Sequence, residues 1–177
     1  PPLKGEVQFL DDIPSGAKQY STGNTAYRLD VDPSPLFPFG FGKSYTDFHY
    51  GQLAVSVAGA GQTLTISVEV SVTNIGDRSG IETVQLYLRD PVARVARPVR
   101  ELKAFEKVML APEESRRVEF KLGIQDLAYH DGRSWFIEPG RFEWFVGSDS
   151  TARLSCRMDL EASQIGDEPL GDQTASY

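Results

Sequence analysis

The 177-residue sequence predicts an all-β chain folded as a two-sheet antiparallel sandwich, with an irregular N-terminal arm and an acidic C-terminal tail. Three observations carry that expectation. Apolar and polar residues alternate at period two through several short segments, Gly, Pro, Asn and Asp punctuate those segments, and helical periodicity is nearly absent.

Six of the eleven prolines (Pro1, Pro2, Pro14, Pro33, Pro35, Pro38) lie before residue 39. Each fixes its own φ and biases its predecessor toward extended backbone, so residues 1–34 are expected to form an extended arm. Residues 35–52 are an entry segment dense in aromatics: Phe37, Phe39, Phe41, Tyr45, Phe48 and Tyr50, broken by Gly40 and Gly42.

Residues 53–161 carry the sandwich pattern. In Leu64 to Thr73 every second side chain is apolar, so one face is expected buried and the other wet. Asn74 to Gly80 is turn chemistry, and Val84 to Leu88 alternates again. Val118, Phe120 and Leu122 line the next strand after the turn at Ala111 to Glu114. Ile124 to Tyr129 is read as one helical turn, and Asp131-Gly132 as a hairpin signal before Trp135 and Ile137. Pro139-Gly140 separates that strand from Phe142 to Val146, and the last strand runs through Leu154, Cys156, Met158 and Leu160. About seven short strands at turn-punctuated spacing fit an immunoglobulin/fibronectin type III-like sandwich better than a closed barrel, because the intervals between turns vary. Cys156 falls on the buried side and reads as a packing residue.

Composition excludes several function classes. Eighteen basic and 25 acidic residues give a net charge of −7, which argues against nucleic acid or an anionic membrane surface as the main partner. No apolar run is long enough for a membrane-spanning helix, and one cysteine makes no internal disulfide. Residues 162–177 contain no Lys or Arg, and five carboxylates follow Arg157 (Asp159, Glu161, Asp167, Glu168, Asp172). That tail is expected to be a solvated, flexible terminus, with an ordered extension over a partner as the alternative. The opening Pro1-Pro2-Leu3-Lys4 is neither an initiator methionine nor a signal-peptide start, so a piece of a longer protein is expected.

No catalytic constellation emerges. Gly42-Lys43-Ser44 resembles the end of a phosphate-binding loop, but Phe37 occupies the position where such a loop needs its first glycine. There is no Gly-x-Ser-x-Gly elbow, and only His49 and His130 could act as an imidazole base. No metal-ligand spacing is present, and no cofactor is implied. The loop carboxylates Asp11, Asp12, Asp30, Asp32, Asp126, Asp131 and Asp149 read as turn formers, since a glycosidase pair needs a cleft to raise one of them. One stretch is locally basic: Arg89, Arg94, Arg97, Arg100, Lys103 and Lys107 against Asp90, Glu101 and Glu106. It is either a solvated loop or a docking surface whose arginines pair with carboxylates of a neighbouring domain.

Pro35-Leu36-Phe37-Pro38-Phe39-Gly40-Phe41-Gly42-Lys43-Ser44-Tyr45-Thr46-Asp47-Phe48 resembles a signature of glycoside hydrolase family 3, found at the entry to the C-terminal fibronectin type III-like domain of its β-glucosidases. Val84 to Pro91, Arg97 to Val108, and Pro139-Gly140 with Phe145-Val146-Gly147 resemble the same domain in the same order. Lys43 departs from the pattern, where the family usually has Leu.

The resemblance implies retaining, exo-acting hydrolysis of terminal sugars from β-glucosides. A nucleophilic Asp would lie on a (β/α)₈ barrel and a Glu on an α/β-sandwich domain, neither of which matches any position here. Residues 1–34 would then be the end of that α/β-sandwich domain. The expected partners are those two domains of the same enzyme, with room for a homodimer partner, and the expected location is periplasmic or secreted. Aromatic burial contributes roughly 25 cal/mol per Å². Phe37, Phe39, Phe41 and Tyr45, with Arg97 and Arg100, are therefore expected to dock the sandwich onto the catalytic body. A free-standing carbohydrate-binding sandwich is the alternative; there Trp135, Trp144 and Tyr129 would offer faces for stacking on sugar rings, although the period-two placement of Trp144 reads as core. A receptor-type fibronectin domain fits less well.

Overall fold

The computed structural model describes residues 35–92, 97–130 and 135–165. The chain divides into two compact units, Pro1–Phe37 and Pro38–Tyr177, and the strands among the described residues belong to the second. These are β1 (Phe48–Ala58), β2 (Thr65–Asn74), β3 (Gly80–Arg89), β4 (Glu101–Leu110), β5 (Ser115–Gly123), β6 (Tyr129–His130), β7 (Trp135–Phe136), β8 (Gly140–Gly147) and β9 (Leu154–Leu160). One sheet has the order β1-β2-β5, the other β4-β3-β8-β9, and β6 and β7 form a small hairpin whose tip lies outside the described residues. The described pairings are all antiparallel. The expected all-β sandwich is the fold.

The alternation in β2 buries Ile66, Val68, Val70 and Val72 completely. Across the ladder they meet Leu122, Phe120 and Val118 of β5. The opposing layer supplies Val84, Leu86 and Leu88 from β3, and Phe142, Trp144 and Val146 from β8. Trp144 lies between Leu88 and Cys156 on neighbouring strands and is fully buried, its indole N–H without a hydrogen-bond partner among the described residues. Cys156 packs against this core as expected, and burial pushes its thiol up to about 11, far from a reactive thiolate.

Three boundaries differ from expectation. The sandwich begins at Phe48 rather than near residue 53, because a bulge between Gly51 and Ala54, with Gln52 at φ 52°, resets the alternation within β1. The locally basic stretch is not all loop: Glu101–Leu110 is an edge strand. Its charges at Glu101, Lys103, Glu106 and Lys107 mask the period, as edge strands tend to do. At the other end, Ala162–Ile165 forms one helical turn and Ile165 packs on the core, so the tail's first residues belong to the domain. The helical turn expected over Ile124–Tyr129 is shorter, Ile124–Asp126, and Tyr129 begins β6.

A candidate interaction surface at the entry segment

Pro38 to Phe41 is a tight turn closed by the Phe41 N–H donating to the Pro38 carbonyl at 3.0 Å. Gly40 takes φ +81°, the left-handed backbone a type II turn needs at its third position. The backbone of this turn is held down onto β3. Gln85 donates its side-chain amide to the Gly40 carbonyl at 3.2 Å and to the Ser148 carbonyl. Tyr87 donates to Gln85 Oε1 at 2.5 Å and reaches the Phe39 carbonyl at 3.4 Å. The Ser150 N–H also donates to the Phe39 carbonyl, at 2.9 Å. Gln85 and Tyr87 sit on the outer face of their sheet yet are buried, because this turn and the β8–β9 loop cover them.

Arg100 fixes that loop in turn. Its guanidinium donates to the Ser150 and Ala152 carbonyls at 2.7 Å each and lies 3.7 Å above the Phe145 ring. Arg97 is also engaged within the domain. Its side chain is 6% exposed and bonds Asp90 at 3.1 Å, Glu101 at 2.9 Å and the Leu127 carbonyl at 3.3 Å, with the Tyr129 ring 5.7 Å away.

A second anchor lies where the entry segment runs into β1. Asn74 is fully buried and fully used. Its amide donates to the carbonyls of Arg78 (2.7 Å) and Leu110 (3.0 Å), and its oxygen accepts from Thr46 Oγ1 (2.7 Å) and the Gly76 N–H (3.1 Å). The Asp47 carbonyl takes the Ile75 N–H at 2.8 Å. Thr46 and Gly76 approach so closely that a Cβ at Gly76 would fall 2.2 Å from Thr46 Oγ1. Beside this anchor Tyr50 donates to Glu82 at 2.5 Å, linking β1 of one sheet to β3 of the other, and burial raises the Glu82 carboxyl above its ordinary value.

Between the anchors the side chains point outward. Phe39 is 67%, Phe41 43% and Tyr45 93% exposed, with Lys43 exposed among them. Phe37, in the first unit, is exposed as well. The turn backbone is thus held to the domain while the rings of Phe39 and Tyr45 are largely exposed to solvent.

Other expected residues fall elsewhere. Trp135 is half-buried in the small hairpin, edge-on to His130 at 5.2 Å. His49 is exposed on β1. Asp126 caps the Gly123 N–H at 2.7 Å and Asp149 caps the Thr151 N–H at 2.7 Å, which is the turn-forming role. Asp11, Asp12, Asp30, Asp32, Arg94 and Asp131 lie outside the described residues. Gln85, Tyr87, Asn74 and Glu82 carry no sequence signal beyond their places in the strand and turn pattern.

Comparison with known proteins matches residues 82–150 to the fibronectin type III-like domain model. The chain is 37% identical over 146 residues to a β-glucosidase of Bacteroides ovatus, covering 81% of this chain and 18% of that protein. It is 38% identical over 127 residues to a periplasmic β-glucosidase of Salmonella typhimurium, covering 71% of this chain and 17% of that protein. Among solved structures, a β-glucosidase from Erythrobacter marinus superposes with a TM-score of 0.72 at 41% identity, over 79% of this chain and 19% of that one. The chain thus spans less than a fifth of each of these three relatives.

Proposed function

Because this chain carries the fibronectin type III-like domain of glycoside hydrolase family 3 β-glucosidases, we propose that it is a non-catalytic docking domain of an exo-acting β-glucosidase. The catalytic Asp and Glu lie in domains beyond this sequence, and the chain alone does not hydrolyse glucosides. Its work is to hold against the catalytic body through Phe39, Phe41 and Tyr45 of the entry segment. The carrying observation is the pairing of a pinned turn backbone at Pro38–Phe41 with exposed aromatic rings at Phe39 and Tyr45. Locking the backbone in advance lowers the entropy lost on docking. Covering such rings contributes roughly 25 cal/mol per Å² of apolar area, several kcal/mol for three of them. Arg100 supports the surface indirectly, through the bonds that fix the Ser150–Ala152 loop behind the Phe39 carbonyl, whereas Arg97 is spent on Asp90 and Glu101 within the domain. Export to the periplasm or beyond the cell is proposed with it, in line with the periplasmic relative.

The alternative, a sugar-binding module using Trp135, is tested directly. The chain is titrated with cello- and laminari-oligosaccharides while tryptophan fluorescence is followed, and a β-glucoside hydrolysis assay runs in parallel. No binding and no hydrolysis are expected. Saturable binding would replace the docking reading by the module.

A further inference from the structure

The outer face of the four-stranded sheet carries a second exposed apolar strip. Paired residues of antiparallel strands share a face. The rungs between β3 and β4 set Ile81 against Met109, Thr83 against Lys107 and Gln85 against Phe105. Ile81, Phe105 and Met109 are 55%, 61% and 59% exposed. Gln85, on the same face, is covered by the Gly40 turn. The strip therefore begins beside the aromatic entry turn and continues along the edge strand. Lys107 stands in its middle, exposed and, among the described residues, without an ion-pair partner. Of the neighbouring carboxylates, Glu101 holds Arg97 and Lys103, and Glu106, opposite Val84 in the register, falls on the other phase of the strand from Lys107.

We propose that this strip is a second docking surface, occupied by another domain of the same polypeptide that presents apolar side chains around a carboxylate. The proposal rests on the docking reading above and extends it from the entry turn to the edge strand. Lys107 decides the chemistry of the occupant. A wholly apolar cover would bury an unpaired ammonium, which is costly. A second copy related by a two-fold axis would lay the strip on itself and oppose Lys107 to its own copy. A surface carrying a carboxylate meets both the apolar side chains and the cation. Continuity with the Gly40 turn allows one body to cover both surfaces, and the matched relatives extend far beyond the segment this chain matches.

Reductive methylation of lysines tests this, comparing the full-length polypeptide with the 177-residue chain. Lys107 is expected to react about tenfold more slowly in the full-length protein. Lys121, on the three-stranded sheet, serves as the unprotected control. Equal Lys107 rates in the two proteins overturn the proposal. If Lys43 among the entry aromatics is then still protected, docking through the entry turn stands without the strip; if neither lysine is protected, both readings fall. Protection of Lys107 in the chain alone that grows with concentration would make the occupant a second copy and also overturn the proposal.

Discussion

Gln85 holds Gly40 by its carbonyl at 3.2 Å, and a Cβ on Gly40 would lie 2.1 Å from Gln85 Oε1. The two residues are 45 positions apart, and their contact fixes the turn that displays Phe39 and Phe41. Gly40→Ala meets both the left-handed backbone (φ +81°) and this overlap. It is expected to destabilise the domain by about 2 kcal/mol. Gly42→Ala, with open space around its Cβ position, is the neutral control. Thermal melts of the two variants give the comparison.

Asn74 satisfies four partners from a fully buried position. Asn74→Ala leaves two carbonyls, a hydroxyl and an N–H without it, and a loss of about 3 kcal/mol is expected. Thr46→Val removes one of those bonds and is expected to cost about 1 kcal/mol. Urea unfolding of both variants checks the ratio.

Two carboxylates give opposite pH slopes. Burial raises the Glu82 carboxyl, the Tyr50 bond offsetting it only in part, so its contribution is fully present below the ordinary value of 4.5 and fades as pH rises through the higher folded value. At Glu101 burial also disfavours the charge, but the hydrogen bonds from Arg97 and Lys103 outweigh it and hold the carboxyl below 4.5. That contribution is present above the ordinary value and is lost as pH falls through the depressed one. Glu82→Gln is expected to lose the first slope and Glu101→Gln the second, each read from stability measured between pH 3 and pH 8, on the order of the range where carboxyls titrate.

Arg97 is buried with Asp90 and half-buried Glu101 around it. Arg97→Met strands the Asp90 carboxylate, 8% exposed at its side chain, and is expected to cost about 3 kcal/mol. The double variant Arg97→Met with Asp90→Leu is expected to recover much of that loss, since a buried pair exchanged for apolar groups is often close to neutral. Denaturant midpoints of the single and double variants decide it.

How far the sequence reached depended on whether a residue's environment was local. The alternation of Leu64–Thr73 identified β2 because its burial comes from the period of the strand itself. Gln85 and Tyr87 lie on the polar phase of the same kind of pattern and read as wet; they are buried only because residues 39–40 and 148 fold over them. β4 was hidden by its edge charges, and the first half of β1 by a bulge that shifts the phase. Arg97 and Arg100 stood out as cations, but a list of charges does not say which carboxylates and carbonyls the fold brings to them. The aromatics of the entry segment were conspicuous as a block. The turn that turns them outward depends on amides far away in the chain.

The central claim is that the entry aromatics dock this domain onto another part of the enzyme, and the melting temperature of the Phe39→Ala, Tyr45→Ala double variant tests it most directly. Both side chains are exposed in this domain, so the isolated 177-residue chain is expected to melt at the wild-type temperature. In the full-length enzyme the same pair of changes is expected to lower the transition by about 4 °C or more, the equivalent of roughly 2 kcal/mol of lost docking. An unchanged full-length melt, or an equal drop in the isolated chain, would contradict the account.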